Sequence, residues 1–406
     1  MKHKAWAVMW AVYLSSVVVV INQYKVPPVM AALIDNLQVD MGTAGWLMSL
    51  FSLTGILLAL PAIILLNRFS PKGSGLLGLA CVILGSLTGA FAPSARVLLL
   101  SRVIEGTGMA LIAVIAPAIV AMWFDPGEVG LPMGIWSTWV PVGSTIAYNL
   151  ATPVQAAYGW RGVWWCGVFL GVIAFIIHAL VVTKPGQDAP RDRGHHPGGT
   201  GVHYAPVFKN PDIWLLTITF FSFMFGAVGY STWAPTFYKD ALGVNITTAN
   251  FYTSLLYLTN IAGALACGWI LGRFKKPKPV LVTASILCTI LYSLGFSLPS
   301  PALIAPYMMA RGFIAVFIPT TIFSLAPATI PHPQLSGAVM GILSMGQNLG
   351  MLAGPPVVGQ VLHYGGSWQA GNYPMLLGML LSTTATIIFS IRGQVFPAGK
   401  RAGLDQ

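Results

Sequence analysis

Residues Ser49–Phe69 read SLFSLTGILLALPAIILLNRF, and residues Ser254–Phe274, which begin 205 positions later, read SLLYLTNIAGALACGWILGRF. Ten of these 21 positions are identical. Further matches follow at almost the same spacing, since Met133-Gly134-Ile135 recurs as Met340-Gly341-Ile342, and Gly143 matches Gly350. Self-similarity at one fixed spacing indicates a duplicated structure. We therefore predict two halves that share one fold.

The composition places both halves in a membrane. Of the 406 residues, 56% are hydrophobic and only 8% are charged, and the mean hydropathy is +0.75. Soluble domains carry about 25% charged residues, so this composition excludes a water-soluble globule. A membrane helix needs about 20 apolar residues, which leaves room for about a dozen spans with short loops.

Twelve apolar runs predict an all-α membrane protein with 12 transmembrane helices, six in each half. The runs cover residues 5–33, 43–67, 74–93, 97–123, 130–157, 162–183, 211–238, 247–271, 279–298, 301–329, 335–363 and 369–391. Because six is an even number, both halves enter the membrane in the same direction and form a parallel repeat.

These runs also predict the domain boundaries. The N-terminal half is expected at 1–183, a cytoplasmic linker at 184–210, the C-terminal half at 211–392 and a cytoplasmic tail at 393–406. The linker is rich in Gly and Pro, a composition typical of flexible connections.

Basic residues outside the runs divide unequally between the two sides of the membrane. With a cytoplasmic N-terminus, 15 Lys and Arg lie in cytoplasmic segments, and only Arg96, Arg161 and Lys239 lie outside. Cytoplasmic loops carry this excess, so we expect both termini in the cytoplasm. Despite a net charge of +11, nucleic acid is not an expected partner, because binding it requires basic residues clustered on one face.

Three motifs resemble those of the major facilitator superfamily of secondary transporters. The loop Asn67–Gly73 (NRFSPKG), echoed by Gly272–Lys276 (GRFKK), resembles the family's basic cytoplasmic loop, although Asn67 stands where Asp is usual. The stretch Leu99–Ala110 (LLSRVIEGTGMA) resembles the family's fourth-helix motif R-x-x-Q-G-x-G-x-A, and Gly159-Trp160-Arg161 is also typical of the family.

The resemblance implies a major facilitator fold that works as a monomer in the lipid bilayer, with the first, fourth, seventh and tenth helices lining a central cavity. It also implies a gating role for the loop residues Arg68, Lys72 and Arg273. The first-helix sequence Asn22–Pro28 (NQYKVPP) is most similar to the cyanate-permease and nitroimidazole-transporter branch of anion transporters.

Four charged residues are predicted to lie within the membrane, namely Lys25, Arg102, Glu105 and Arg311. An intramembrane charge is costly and needs a partner, a water-filled cavity or a ligand. In the fold that the resemblance implies, all four belong to helices that line the cavity. Three cations against one carboxylate leave an excess of positive charge, which predicts an anionic substrate.

Each of these charges has more than one interpretation. Arg311, which the repeat suggests as the counterpart of Arg102, is predicted to clamp a carboxylate or another planar oxyanion. Lys25 either contacts the substrate or extends to the outer interface. Arg102 and Glu105 are close enough to pair on one helix face. That pair is either a structural link or the place where Glu105 carries a coupling proton, for which Asp35 and His178 are the alternatives.

Polar and aromatic side chains are expected to complete the substrate site. The sequence suggests Tyr24, Trp136, Tyr230, Gln347 and Asn348. Polar contacts between packed helices explain each of them equally well.

We therefore predict a secondary active transporter that moves a small organic or inorganic anion, of monocarboxylate or cyanate size, by alternating access with protons or by exchange. No nucleotide-binding motif is present to use ATP, and we predict no catalytic residues, metal or cofactor. The alternatives are a proton-driven exporter of hydrophobic or cationic compounds and a receptor on a transporter fold. Short loops favour the inner membrane of a bacterium.

Overall fold

The computed structural model of the chain describes residues 2–58, 70–125, 127–183, 205–331 and 335–393. All regular secondary structure in these ranges is helical, which confirms the predicted all-α class. Arg68, residues 184–204 of the predicted linker and residues 394–406 of the predicted tail lie outside the described residues.

The first part of the chain contains seven described α-helices. They are α1 (Lys2–Tyr24), α2 (Met30–Leu37), α3 (Met41–Leu58), α4 (Pro71–Ala90), α5 (Ala95–Trp123), α6 (Gly130–Trp136) and α7 (Trp139–Val181). The second part contains eight, α8 (Ala205–Lys209), α9 (Pro211–Asp240), α10 (Ile246–Phe274), α11 (Pro277–Ser293), α12 (Ile304–Ala315), α13 (Phe317–Leu325), α14 (Ser336–Gly365) and α15 (Asn372–Arg392).

Proline and glycine residues set several of these boundaries. Helix α1 ends at Tyr24, and a 3₁₀ turn at Pro27–Val29 separates it from α2. Pro27 has no N–H to offer the carbonyl of Gln23, so the α-helical ladder stops there. Helix α7 changes direction at Gly159, whose φ of 69° is readily adopted only by glycine.

Ten helical segments among the described residues are long and apolar enough to cross a membrane. One of them, Gly130–Val181, has 52 residues and contains the break at Gly159, so it includes both the fifth and the sixth predicted spans. Helix α14, in the place of the eleventh predicted span, has 30 residues and is not among the ten. The count of twelve spans stays a prediction.

The described residues form two compact units. The first is built from the described parts of Met1–Asp40, Trp46–Pro197 and Ile246–Ser254, and the second from those of Met41–Gly45, Gly198–Asn245 and Leu255–Gln406. The predicted boundary at 183 adjoins residues outside the described ranges, and helix α8 lies within the predicted linker just before 211. Both boundaries stay predictions.

Matched helix contacts show the duplication in three dimensions. A Cβ atom at Gly106 of α5 would meet the Phe51 carbonyl oxygen and Thr54 Oγ1. A Cβ atom at Gly312 of α12 would meet the equivalent atoms of Leu256 and Thr259. The backbones of two helices therefore touch at the same place in each unit, and residues of α5 correspond to residues of α12 at a spacing of 206.

A second pair of contacts gives the same spacing. A Cβ atom at Gly89 would lie 2.9 Å from Ser101 Oγ, and a Cβ atom at Gly295 would lie 3.1 Å from Tyr307 Oη. This register makes Glu105, not Arg102, the counterpart of Arg311. The expected match of Arg102 with Arg311 is wrong, because their separation along the chain differs from the spacing of 206 that the helix contacts give.

Candidate functional site

The break after α1 brings Lys25 into the interior of the first unit. The side chain is only 2% exposed. Its Nζ atom donates to Asn22 Oδ1 (2.9 Å), Ser86 Oγ (2.9 Å) and Glu105 Oε1 (2.7 Å). An ammonium group has three hydrogens to donate, so the described contacts satisfy all of them.

Arg102 completes this group from α5. Its guanidinium donates to the carbonyls of Asn22, Gln23 and Leu47, each at 2.9 Å, and it is paired with the Glu105 carboxylate. The carbonyls at the end of a helix have no intrahelical partner, and Arg102 therefore caps the interrupted end of α1. The predicted pairing of Arg102 with Glu105 is present in the structure.

Glu105 is thus the centre of a buried charge cluster. Lys25 and Arg102 both contact its carboxylate, and Ser86 Oγ donates to it at 2.7 Å. Removing one member of such a cluster leaves an unpaired buried charge, at a cost of about 3–5 kcal/mol. In this structure, Lys25 and Arg102 both donate their hydrogen bonds to protein atoms.

Arg311 of α12 lies in a very different environment in the second unit. It is fully buried, and its Nε, Nη1 and Nη2 atoms have no hydrogen-bond partner among the described residues. Its Cζ atom lies 3.8 Å from the ring centre of Tyr230 and 3.7 Å from that of Tyr292. Cation–π contacts offset part of the cost of burial, but they leave the five N–H donors unsatisfied.

The hydroxyl groups of Tyr230 and Tyr307, two tyrosines near Arg311, use the backbone or another tyrosine as partners. Tyr230 Oη bonds to Tyr238 Oη (2.8 Å) and donates to the Gly295 carbonyl (3.0 Å). Tyr307 Oη donates to the Leu291 carbonyl (2.8 Å). The hydroxyl bonds of Tyr230 and Tyr307 therefore do not use Arg311. An anion bound beside Arg311 would supply the hydrogen-bond acceptors that its N–H groups lack.

The repeat relates the two sites residue by residue. Ser86 corresponds to Tyr292 and Glu105 to Arg311, both at the spacing of 206 that the helix contacts give. The carboxylate that two cations surround in the first unit is therefore replaced by a cation between two aromatic rings. Ser86 and Tyr292 were not among the residues predicted from the sequence, although the repeat spacing links them.

The remaining predicted residues lie elsewhere in their units. Trp136 Nε1 donates to Ser16 Oγ (3.1 Å), and Asn348 Nδ2 donates to the Ser344 carbonyl one turn away (2.8 Å). Tyr24 is buried and Gln347 is half-buried. Their role in binding stays a prediction.

The predicted loop residues and proton carriers also have defined positions. Lys72 is half-buried near the start of α4, and Arg273 is exposed in the last turn of α10. Asp35 is exposed, and the buried His178 has Nδ1 3.0 Å from Ser15 Oγ. No described contact joins these residues to either charge site, and their functional roles stay predictions.

Comparison with known proteins identifies the family. Residues 12–355 match the Major Facilitator Superfamily. The chain belongs to this superfamily. A solved bacterial homologue of the human lysosomal transporter Spinster shares the fold, with a TM-score of 0.79 and 17% identity over 96% of this chain and 95% of that one.

Two relatives illustrate the range of functions within the superfamily. The membrane sensor protein UhpC of Salmonella typhimurium is 25% identical over 61% of this chain and 61% of its own length. The hexuronate transporter of Bacillus subtilis is 21% identical over 76% of this chain and 75% of its own length. The match spans less than two thirds of the sensor protein. The chain is a multi-pass membrane protein of a transporter family with anion transporters among its relatives.

Proposed function

We propose that this protein is a secondary transporter that moves a small anion across the membrane, with Arg311 as the group that binds the anion. The proposal rests on one observation, a fully buried guanidinium with no hydrogen-bond acceptor in the described part of the chain. Unsatisfied buried charges are costly, so they mark a place where a ligand supplies the missing partner.

The sign of the charge argues for an anion and against the exporter of cationic compounds. Arg311 stays positively charged under all ordinary conditions. A cationic ligand would be repelled at this site, whereas a carboxylate could accept two parallel hydrogen bonds from the guanidinium. The name of the hexuronate transporter agrees with such a substrate, since a hexuronate carries a carboxylate.

Coupling is proposed to depend on the first unit. Glu105 is the one buried carboxylate in direct contact with two buried cations among the described residues. Protonation of Glu105 would weaken its bonds to Lys25 and Arg102, and would thereby free the end of α1 to move. Proton binding and a conformational step would then be linked at the same residue. Exchange of one anion for another is the alternative driving force.

A ligand screen tests the central part of this proposal. The purified protein in detergent is heated with acetate, D-glucuronate, sulfate, tetraphenylphosphonium or glucose, and the apparent Tm is recorded. Ligands that bind the native state raise the Tm by mass action. We expect anions to raise the Tm of the wild-type protein and to have no effect on Arg311→Gln.

The matched control is Arg96→Gln, which removes an exposed arginine at the start of α5. This variant should respond to anions as the wild-type protein does. A rise in Tm with tetraphenylphosphonium alone, or an anion response that persists in Arg311→Gln, would contradict the proposed role of Arg311.

A further inference from the structure

Both flat faces of the Arg311 guanidinium are covered by tyrosine rings. With Cζ only 3.7 and 3.8 Å from the two ring centres, an edge-on approach would push a guanidinium nitrogen inside van der Waals contact with the ring. Each ring therefore stacks on a face. A planar group has only two faces, so Tyr230 covers one and Tyr292 covers the other.

This arrangement leaves only the edge of the guanidinium available to a ligand. All five N–H donors of an arginine lie in the plane of the group. A bound anion must place its acceptor oxygens in the same plane, along the gap between the two rings. A carboxylate is flat and can continue the guanidinium plane. A sulfate or phosphate group projects further oxygens above and below that plane, toward the electron-rich ring faces.

The charge of the site also favours a carboxylate over a dianion such as sulfate. The buried charged side chains described in the second unit are Arg311 and Asp212, and Asp212 lies in the first turn of α9. One guanidinium neutralises one negative charge. A dianion would leave an uncompensated negative charge between two aromatic faces, where it is poorly solvated.

We infer that the Arg311 site selects flat monoanions, above all monocarboxylates, over tetrahedral dianions, and that Tyr292 is a specificity-determining residue. This inference rests on the proposed function and narrows its substrate class. Tyr230 contributes the opposite face, but its hydroxyl also holds Tyr238 and the Gly295 carbonyl. A substitution at Tyr292 therefore removes one stacked ring from Arg311 and leaves these two hydrogen bonds of Tyr230 in place.

The test compares half-saturating concentrations for thermal stabilisation of the full-length protein in detergent. The probes are acetate and D-glucuronate as monoanions with a flat carboxylate group, and sulfate and inorganic phosphate as tetrahedral anions. We expect the better carboxylate to act at a concentration at least tenfold lower than sulfate or phosphate. Tyr292→Leu, which keeps an apolar side chain but removes the flat ring, should reduce that ratio to less than threefold.

Two variants separate this inference from the proposed function. Arg311→Gln should lose stabilisation by every anion, and Tyr373→Leu, which alters an exposed tyrosine on α15, should keep the wild-type ratio. Sulfate acting as strongly as the carboxylates, through Arg311, would overturn the selectivity and leave the proposed function intact. An unchanged ratio in Tyr292→Leu would overturn the role of Tyr292.

Loss of folding in Tyr292→Leu does not rescue the inference, because the wild-type ratio of carboxylate to sulfate tests the selectivity without any variant. A wild-type protein that no anion stabilises would instead refute the proposed function, and the inference with it.

Discussion

At the scale of single residues, Glu105 and Arg311 occupy equivalent positions but have opposite surroundings. Glu105 is held by two cations and a hydroxyl group. Arg311 has rings on both faces and no acceptor in the described part of the chain. Replacement by glutamine should therefore destabilise the protein at Glu105 but not at Arg311.

We predict that Glu105→Gln lowers the apparent Tm in buffer without added ligand, because Lys25 and Arg102 lose their counter-charge at a cost of about 3–5 kcal/mol. Arg311→Gln should leave the Tm unchanged or raise it, because it removes an unsatisfied buried charge. Thermal unfolding in detergent measures both. A large loss of stability in Arg311→Gln would show that the arginine has a structural partner, and Arg96→Gln controls for the loss of one positive charge.

At the scale of helices, close contacts at glycine hold each unit together. Gly312 of α12 touches the Leu256 carbonyl, whereas Gly341 of α14 has open space where a Cβ would be. Gly312→Ala forces the two backbones apart, and a cost of about 1–3 kcal/mol is typical of overpacking. We predict a clear fall in the apparent Tm.

The matched substitution is Gly341→Ala, which adds the same methyl group without a clash. Alanine is favoured over glycine within a helix by about 1 kcal/mol, so this variant should be neutral or slightly stabilised. Equal effects of the two substitutions would contradict the helix packing described for α10 and α12.

Local features of these helices could be predicted from the sequence. Pro27 and Pro28 indicate the break after α1, and the spacing of Arg102 and Glu105 indicates their ion pair, because both depend on neighbours within one or two turns. The contact of Lys25 with Glu105 and the stacking of Tyr292 on Arg311 could not be predicted. Each depends on how one helix is rotated against another, which hydrophobic patterns fix only loosely when helices are apolar on all sides.

At the scale of the whole molecule, we predict twelve spans with both termini in the cytoplasm. This topology places Ala241, at the end of α9, outside the cell and Lys276, which follows α10, inside. In a background without the four native cysteines, an impermeant maleimide should label Ala241→Cys in intact bacteria. It should label Lys276→Cys only after permeabilisation, and the reverse pattern would contradict the predicted orientation.

The most direct test of the account is solute counterflow with the purified protein in liposomes, using the anion from the thermal screen that raises the Tm most. Vesicles loaded with unlabelled anion are diluted into a trace of the labelled form. Wild-type protein and Arg96→Gln should accumulate the label transiently above its equilibrium level, and Arg311→Gln should not. Counterflow by Arg311→Gln at the wild-type rate would show that the anion is carried without Arg311, and would contradict the central claim.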